Sequence, residues 1–192
     1  MQFKVAMKLR TVIVIFILTI PFLGWAFIKP TRLLLPSFNG VFCLDNVCVE
    51  IKSLYDQAST LYQSSFDGID TLGFSVGSRP IFVYCSTIEC YHSFGGSNER
   101  AISYPYLGTV IAPNSWQQYI SQHELVHWLQ FNELGAVSTM LKPEWFREGM
   151  AYSFSQAPKE DVPENYKLML LKYQIWEKQT TTEKFWDTAS SL

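Results

Sequence analysis

Clustered basic charge is missing from this chain. Lys and Arg total 15 against 17 Asp and Glu, the net charge is −2, and no run of basic residues exceeds two. A surface that grips phosphates needs cations gathered on one face, so no nucleic-acid partner is expected. Internal repeats and low-complexity tracts are also missing, which excludes solenoid and array architectures. What is left, in 192 residues, is room for one globular domain with short appendages. Histidine is scarce at three and cysteine at four, so any chemistry that uses them is confined to few positions.

The first thirty residues differ in kind from the rest. Lys4, Lys8 and Arg10 precede an uncharged stretch over 11–28, TVIVIFILTIPFLGWAFI. Eighteen residues at a helical rise span roughly 27 Å, enough for a thin bilayer core. The expectation is a signal anchor or transmembrane segment over 1–29, with the membrane as partner through residues 11–28. The basic residues before it place the N-terminus inside and the remainder on the extracytoplasmic side, although Lys29 and Arg32 weaken the asymmetry. A cleaved signal peptide, giving a secreted protein, and a buried core helix are the competing readings. Pro30 to Asn39 then reads as a linker, and the domain proper occupies 40–192.

Cysteine use agrees with export. Cys43 and Cys48, and Cys85 and Cys90, share one spacing, and an even count outside the cytosol suggests disulfides. Two local bridges, 43–48 and 85–90, are the simplest of the three pairings, and spacing alone does not choose among them. A four-cysteine zinc site is the alternative, against which stands the closer C-x2-C spacing usual in structural zinc.

Between these features the patterning is mixed. Residues 40–49 suggest a short hairpin, and the apolar stripe of Ile51, Leu54, Tyr55, Ala58, Leu61 and Tyr62 predicts a helix ended by Asp67-Gly68. Residues 71–76, 80–85 and 101–112 read as strands, with Pro105 hinting at an edge. Everything beyond 113 reads as helical. One helix runs from Trp116 to about Phe131, capped by Asn114 or Ser115 with Gln117 or Gln118. Another begins after Pro143, and a third near Glu164. The expected fold class is α+β, with a small mixed or antiparallel sheet.

Residues 123–127 read His-Glu-Leu-Val-His. On a helix His123 and His127 share one face, about 6 Å apart along the axis, which lets both imidazoles bind one zinc ion. Glu124 sits beside them, placed to take a proton from a water activated at that ion. Catalytic zinc generally takes a third protein ligand. Glu148, in the helix after Pro143, can supply it if that helix folds back against the first, and Gly149 would let the two backbones approach closely. The apolar neighbours Trp145, Phe146, Met150 and Ala151 argue against a watery setting for that carboxylate.

HELVHWLQF followed by PEWFREGMAYSF resembles the gluzincin branch of HExxH metallopeptidases, including the catalytic core of leukotriene A4 hydrolase-type aminopeptidases and smaller peptidase-MA-like domains. The likeness covers residues 109–156 well and the remainder in outline. It implies a zincin-like fold in which a helix packs above the HExxH helix and a glutamate-bearing helix follows below. It implies Zn2+ held by His123, His127 and Glu148, Glu124 as catalytic base, and a peptide or protein substrate. It further implies that the strand around Tyr104 to Ile111 is an edge that binds an extended peptide. The chain departs from its larger relatives in lacking a Gly-x-Met-Glu-Asn segment, so exopeptidase action on a free N-terminus is not expected. Where thermolysin-like relatives carry an Asp that orients a histidine, this chain has Tyr152, so that support has to come from elsewhere. Tyr152, Tyr166, Tyr173 and His92 are chemically able to stabilise an oxyanion, and for each a packing or surface role is the simpler reading. The leading expectation is a membrane-anchored zinc endopeptidase. A catalytically inactive zinc-bearing binding module of the same fold, and an exported disulfide scaffold without metal, are the alternatives.

Overall fold

A computed structural model describes Val14, Thr19, Ile20 and residues 23–192. Five short strands form one mixed sheet: β1 (Phe42–Leu44), β2 (Val47–Val49), β3 (Phe82–Tyr84), β4 (Ala101–Tyr104) and β5 (Gly108–Ile111). Their spatial order is β1-β2-β3-β5-β4. The two hairpins, β1-β2 and β4-β5, are antiparallel, while β2-β3 and β3-β5 pair in parallel. The inner strands β2, β3 and β5 are buried at every position. Their continuous apolar runs fit strands covered on both faces.

Helices cover one face. α1 (Tyr55–Thr71) and α3 (Gln118–Leu134) share a core with Val47, Val49, Phe82, Tyr84 and Ile111 of the sheet. On the other side of α3 lies α5 (Glu144–Phe154), reached through the short α4 (Ala136–Leu141), and α6 (Glu164–Glu177) packs on α5. The short α7 (Phe185–Ser190) closes an aromatic cluster of Phe74, Phe154, Trp176 and Phe185. The opposite face of the sheet is covered by α2 (Ile88–Ser93), whose Tyr91 packs with Phe94, Leu33 and the Cys85–Cys90 disulfide. Both local disulfides, Cys43–Cys48 and Cys85–Cys90, are formed, and among the described residues no cysteine is free.

The transmembrane segment expected at the N-terminus is corrected. Among the described residues no helix is long and apolar enough to cross a membrane. Residues 11–13, 15–18, 21 and 22 of the expected span lie outside the described residues. Its C-terminal end is tied to the domain by a charged group. Arg32 donates to the carbonyls of Trp25 and Ala26 and also, at 2.7 Å, to that of Ser93 in α2. The stretch read as a linker continues the attachment as 3-10 turns over Lys29–Leu34 and Pro36–Asn39, with Leu33 fully buried.

Other differences have local causes. Gly68 does not end α1, which continues to Thr71; it lies against the tip of the Gln122 side chain of α3, which a Cβ there would displace. No strand forms over 71–76, which is the end of α1 and a turn. Residues 101–112 are a hairpin rather than one strand. The helix expected from Trp116 starts at Gln118, without a side-chain cap. Trp116 is held outside it, donating its indole N–H to the Cys85 carbonyl at 2.9 Å and lying edge-on to Tyr84.

Gly149 allows a close approach, but to α6 rather than α3. A Cβ at this position would meet Tyr173 Cβ at 2.5 Å and the Met169 carbonyl at 2.7 Å. The backbone and helix body cannot yield as a flexible side-chain tip would, so α6 would have to shift. Gly149→Ala is therefore expected to lower stability by about 1–3 kcal/mol, despite alanine's higher helix propensity. Urea unfolding followed by circular dichroism checks this, and an unchanged midpoint would contradict the packing.

Candidate functional site

α3 and α5 are joined by α4 and run antiparallel, so residues late in one helix meet residues early in the other. Gln130 Nε2 donates to the Arg147 carbonyl at 3.0 Å, and Gln122 Nε2 donates to the Phe154 carbonyl at 2.8 Å. Between those two ties, Glu148 faces the histidine pair. The Nε2 atoms of His123 and His127 stand 3.2 Å apart, and the Glu148 carboxylate oxygens lie 3.5 Å from His123 Nε2 and 3.6 Å from His127 Nε2. All three side chains are half-buried and converge as a group able to hold a metal ion. Burial alone would raise the Glu148 carboxyl, but the neighbouring imidazoles, with Arg147, hold it down to about 2.

The donor set fits a cation. Ligand atoms about 2.0–2.1 Å from one ion at tetrahedral angles stand roughly 3.4 Å from each other, which matches the observed separations. Two imidazoles and one carboxylate suit a borderline divalent ion and leave room for a further ligand. The geometry is compatible with a metal ion and does not by itself name which.

One histidine is oriented by a residue that sequence reading missed. His127 Nδ1 lies 3.1 Å from Gln130 Oε1, an acceptor only, so Nδ1 carries the proton and the Nε2 lone pair is turned to the site. Gln130 is itself fully buried, its side-chain N–H reaching the Arg147 carbonyl and Met150 Sδ, and its backbone carbonyl accepting from Thr139 Oγ1. The signal was present, since Gln130 follows His127 by one helical turn, but a glutamine there also reads as an ordinary buried polar residue. Tyr152 contacts His123 ring to ring at 4.6 Å.

The group lies in a cleft of about 500 Å3. Its floor is α3, its walls are β4 on one side and α5 with Tyr166 on the other, and Glu124 lines it while only 7% exposed. Among the described residues no hydrogen bond engages the Glu124 carboxylate. Its backbone carbonyl accepts from Ser103 Oγ at 3.1 Å, which pins β4 against the helix. Tyr106 reaches the Phe131 carbonyl and Arg100 reaches the Tyr119 hydroxyl, so β4 and α3 run side by side in the same direction.

β4 is an edge of the sheet and the strand nearest the site. The edge expected around Tyr104 to Ile111 is therefore displaced to Ala101–Tyr104, because Gly108–Ile111 is an inner strand between β3 and β4. Ala112 N donates to the Arg100 carbonyl, so pairing with the 108–111 side takes in Arg100. By the alternation of antiparallel ladders, the backbone groups of Ala101 and Ser103 then point to the open edge.

Comparison with known proteins adds no family. No family model, curated protein or solved structure matches this chain.

Of the four side chains considered for the oxyanion role, Tyr152 and Tyr166 line the cleft, their rings 5.4 Å apart. Burial pushes the Tyr152 hydroxyl up to about 12 against the pull of the Arg100 guanidinium, so at neutral pH it is a proton donor. Tyr173 is in the core, donating to Glu177, and His92 is exposed on α2 away from the cleft.

Replacing Gln130 by Leu should leave the three donors in place but remove the proton acceptor for His127. Zinc affinity, measured by competition with a chromogenic chelator, is expected to fall about 10- to 100-fold. Affinity unchanged from the parent would show that Gln130 does not orient the ligand.

Proposed function

We propose that this chain is a zinc-dependent peptidase of the gluzincin kind, with His123, His127 and Glu148 as metal ligands and Glu124 as general base. One observation carries the reading. A His-His-Glu donor set spaced for one cation shares its cleft with an unengaged, nearly buried carboxylate and an open strand edge. A bare structural role for the three donors would not require a cleft, and a purely metal-storing site would not require a carboxylate held beside it.

Zinc bound there supplies Lewis acidity, which makes a water acidic near neutral pH and polarises a carbonyl. The chain's own residues do the rest. Outward N–H and C=O groups of Ala101 and Ser103 are suited to pair with an extended peptide, as strands accept a further strand. Pairing there would lay the peptide along α3, across the face that carries His123 and His127. Glu124 takes the proton from the attacking water and returns it to the departing amine nitrogen, which needs a base within hydrogen-bond reach of both. The protonated hydroxyls of Tyr152 and Tyr166 are the donors on the cleft wall available to an oxygen that gains charge. The two disulfides suit an oxidising compartment outside the cytosol.

Glu124→Gln separates binding from catalysis, because the amide keeps the shape of the carboxylate but cannot accept the proton. The expected outcome is one zinc per chain by mass spectrometry, as in the parent, with cleavage of unfolded casein slowed about 10²- to 10⁴-fold. If the parent retains zinc but cuts no unfolded protein, the chain is instead a zinc-bearing binding module. Equal cleavage by parent and variant would remove Glu124 from the mechanism.

A further inference from the structure

Arg100 stands at the end of the cleft beside Tyr119, immediately before β4. Its guanidinium donates to the Tyr119 hydroxyl at 2.9 Å, lies 5.6 Å from the centre of that ring, and makes a longer contact of 3.4 Å to the Asp161 carbonyl. Tyr119 belongs to α3, one turn before His123, so the helix that carries the histidines also sets the position of this cation. Among the described residues Arg100 forms no ion pair with a carboxylate. Two acidic side chains are nearby and neither pairs with it. Glu99 accepts from Ser97 N, and Asp161 meets Arg100 through its backbone while its carboxyl side chain acts on the Tyr119 hydroxyl. The guanidinium also acts on the Tyr152 hydroxyl, and of its five donors in a planar fork these contacts do not use all. A cation positioned by a ring and a hydroxyl, in ion pair with no carboxylate among the described residues, at the end of the cleft is arranged to receive an anion.

The strand geometry says which part of a substrate arrives there. Antiparallel pairing is the slightly more stable mode per residue, and it would run a peptide opposite to β4. Its C-terminal side then points toward Arg100, where its negative end is attracted, while the parallel alternative would bring a positive amino terminus to the same cation. Ser103 touches the Glu124 backbone and marks the reacting centre. Arg100 is three residues back along the strand, roughly 10 Å at the usual strand rise. A paired peptide covers that distance in two to three residues.

We propose that Arg100, oriented by Tyr119, forms a carboxylate-binding subsite that selects peptides carrying a carboxylate two or three residues beyond the scissile bond on its C-terminal side. The proposal rests on the peptidase reading for its substrate class. Either the chain's terminal carboxylate or an Asp or Glu side chain offers the same chemistry. Arg100 is a specificity-determining residue and not part of the hydrolytic machinery.

The test uses the zinc-loaded full chain and a random peptide library, blocked at the N-terminus, in three forms: free acid, C-terminal amide, and amide with Glu at the final position. Cleavage sites are mapped by mass spectrometry. In parallel, fluorescein-labelled Ala-Ala-Phe-Ala-Ala in the same three forms is titrated by anisotropy against Glu124→Gln, which holds peptide without turnover. Free acids are expected to be cut and bound roughly 10- to 100-fold better than amides, with cuts two or three residues from the end. Arg100→Gln should erase that ratio by weakening the acids alone, and Arg100→Lys should keep part of it. Recovery by the terminal Glu would assign a side-chain carboxylate as an equal source, and its failure would assign the main-chain terminus. Acids and amides treated alike by the parent, or weakened equally by Arg100→Gln, would overturn the subsite. Preferential binding of acids with no cleavage anywhere would retain the subsite and remove the peptidase reading.

Discussion

Holding a carboxylate within 3.6 Å of two imidazole nitrogens in a half-buried cleft costs solvation of all three groups, and only a rigid framework keeps them there. That framework is the antiparallel seating of α5 on α3. It is tied at one end by Gln130 to the Arg147 carbonyl and at the other by Gln122 to the Phe154 carbonyl. Buried apolar contacts of Leu125, Val126, Leu129, Phe146 and Met150 fill the space around these ties. Buried polar side chains are costly unless their hydrogen bonds are made, and here both glutamine amides are engaged at the helix interface. Their satisfaction fixes the register of the two helices, and the register fixes the donor spacing.

Everything else positions something against that pair. α1 packs along α3 with Gly68 against the Gln122 side-chain amide, and the sheet lies over both. β4 is held to the active helix by Ser103 and kept in the sheet by β5, leaving one row of backbone groups unpaired beside the donors. An exposed strand edge is ordinarily a hazard, since it invites other chains to pair with it. Under the proposed function, the same edge, placed against a cleft that holds a carboxylate and three side chains able to hold a metal ion, would align a chain. α6 on the outer side of α5 completes the wall with Tyr166 and is brought near by Gly149.

The site was more legible than the fold. His123 and His127 are one helical turn apart, so a periodicity argument was enough to place them on one face, and the scarcity of histidine made that spacing conspicuous. Glu148 could be reached because a proline-started helix with apolar neighbours follows at the distance a returning helix needs. The hairpin over 40–49 was legible for the same reason, since it depends on residues close in sequence, whereas the cysteine spacing left three pairings open until the structure joined 43 to 48 and 85 to 90. By contrast, the strand read over 71–76 was the end of a helix and a turn. Gly68 signalled a stop in sequence but lies within the helix, against Gln122 across the interface. Trp116 fits the helical pattern but is drawn out of it by Cys85 and Tyr84. The apolar run near the N-terminus matched a membrane span by length and composition. Yet Arg32 fastens the described end of it to the domain, a contact that no periodicity reveals.

By itself the sequence determined the chemical identity of the donors, their spacing on one helix, the mixed α and β composition and the equal spacing of the two cysteine pairs. These are properties of local geometry, in which the period of a helix or the length of a loop decides which side chains can meet. Tertiary structure alone decided that Glu148 meets both imidazoles, that Gln130 orients His127, that β4 rather than β5 is the open edge, and that Arg100 is placed beside the cleft by Tyr119. Each of these joins residues through the packing of separate elements. Such packing depends on the sum of many weak contacts, which the order of residues along the chain does not display.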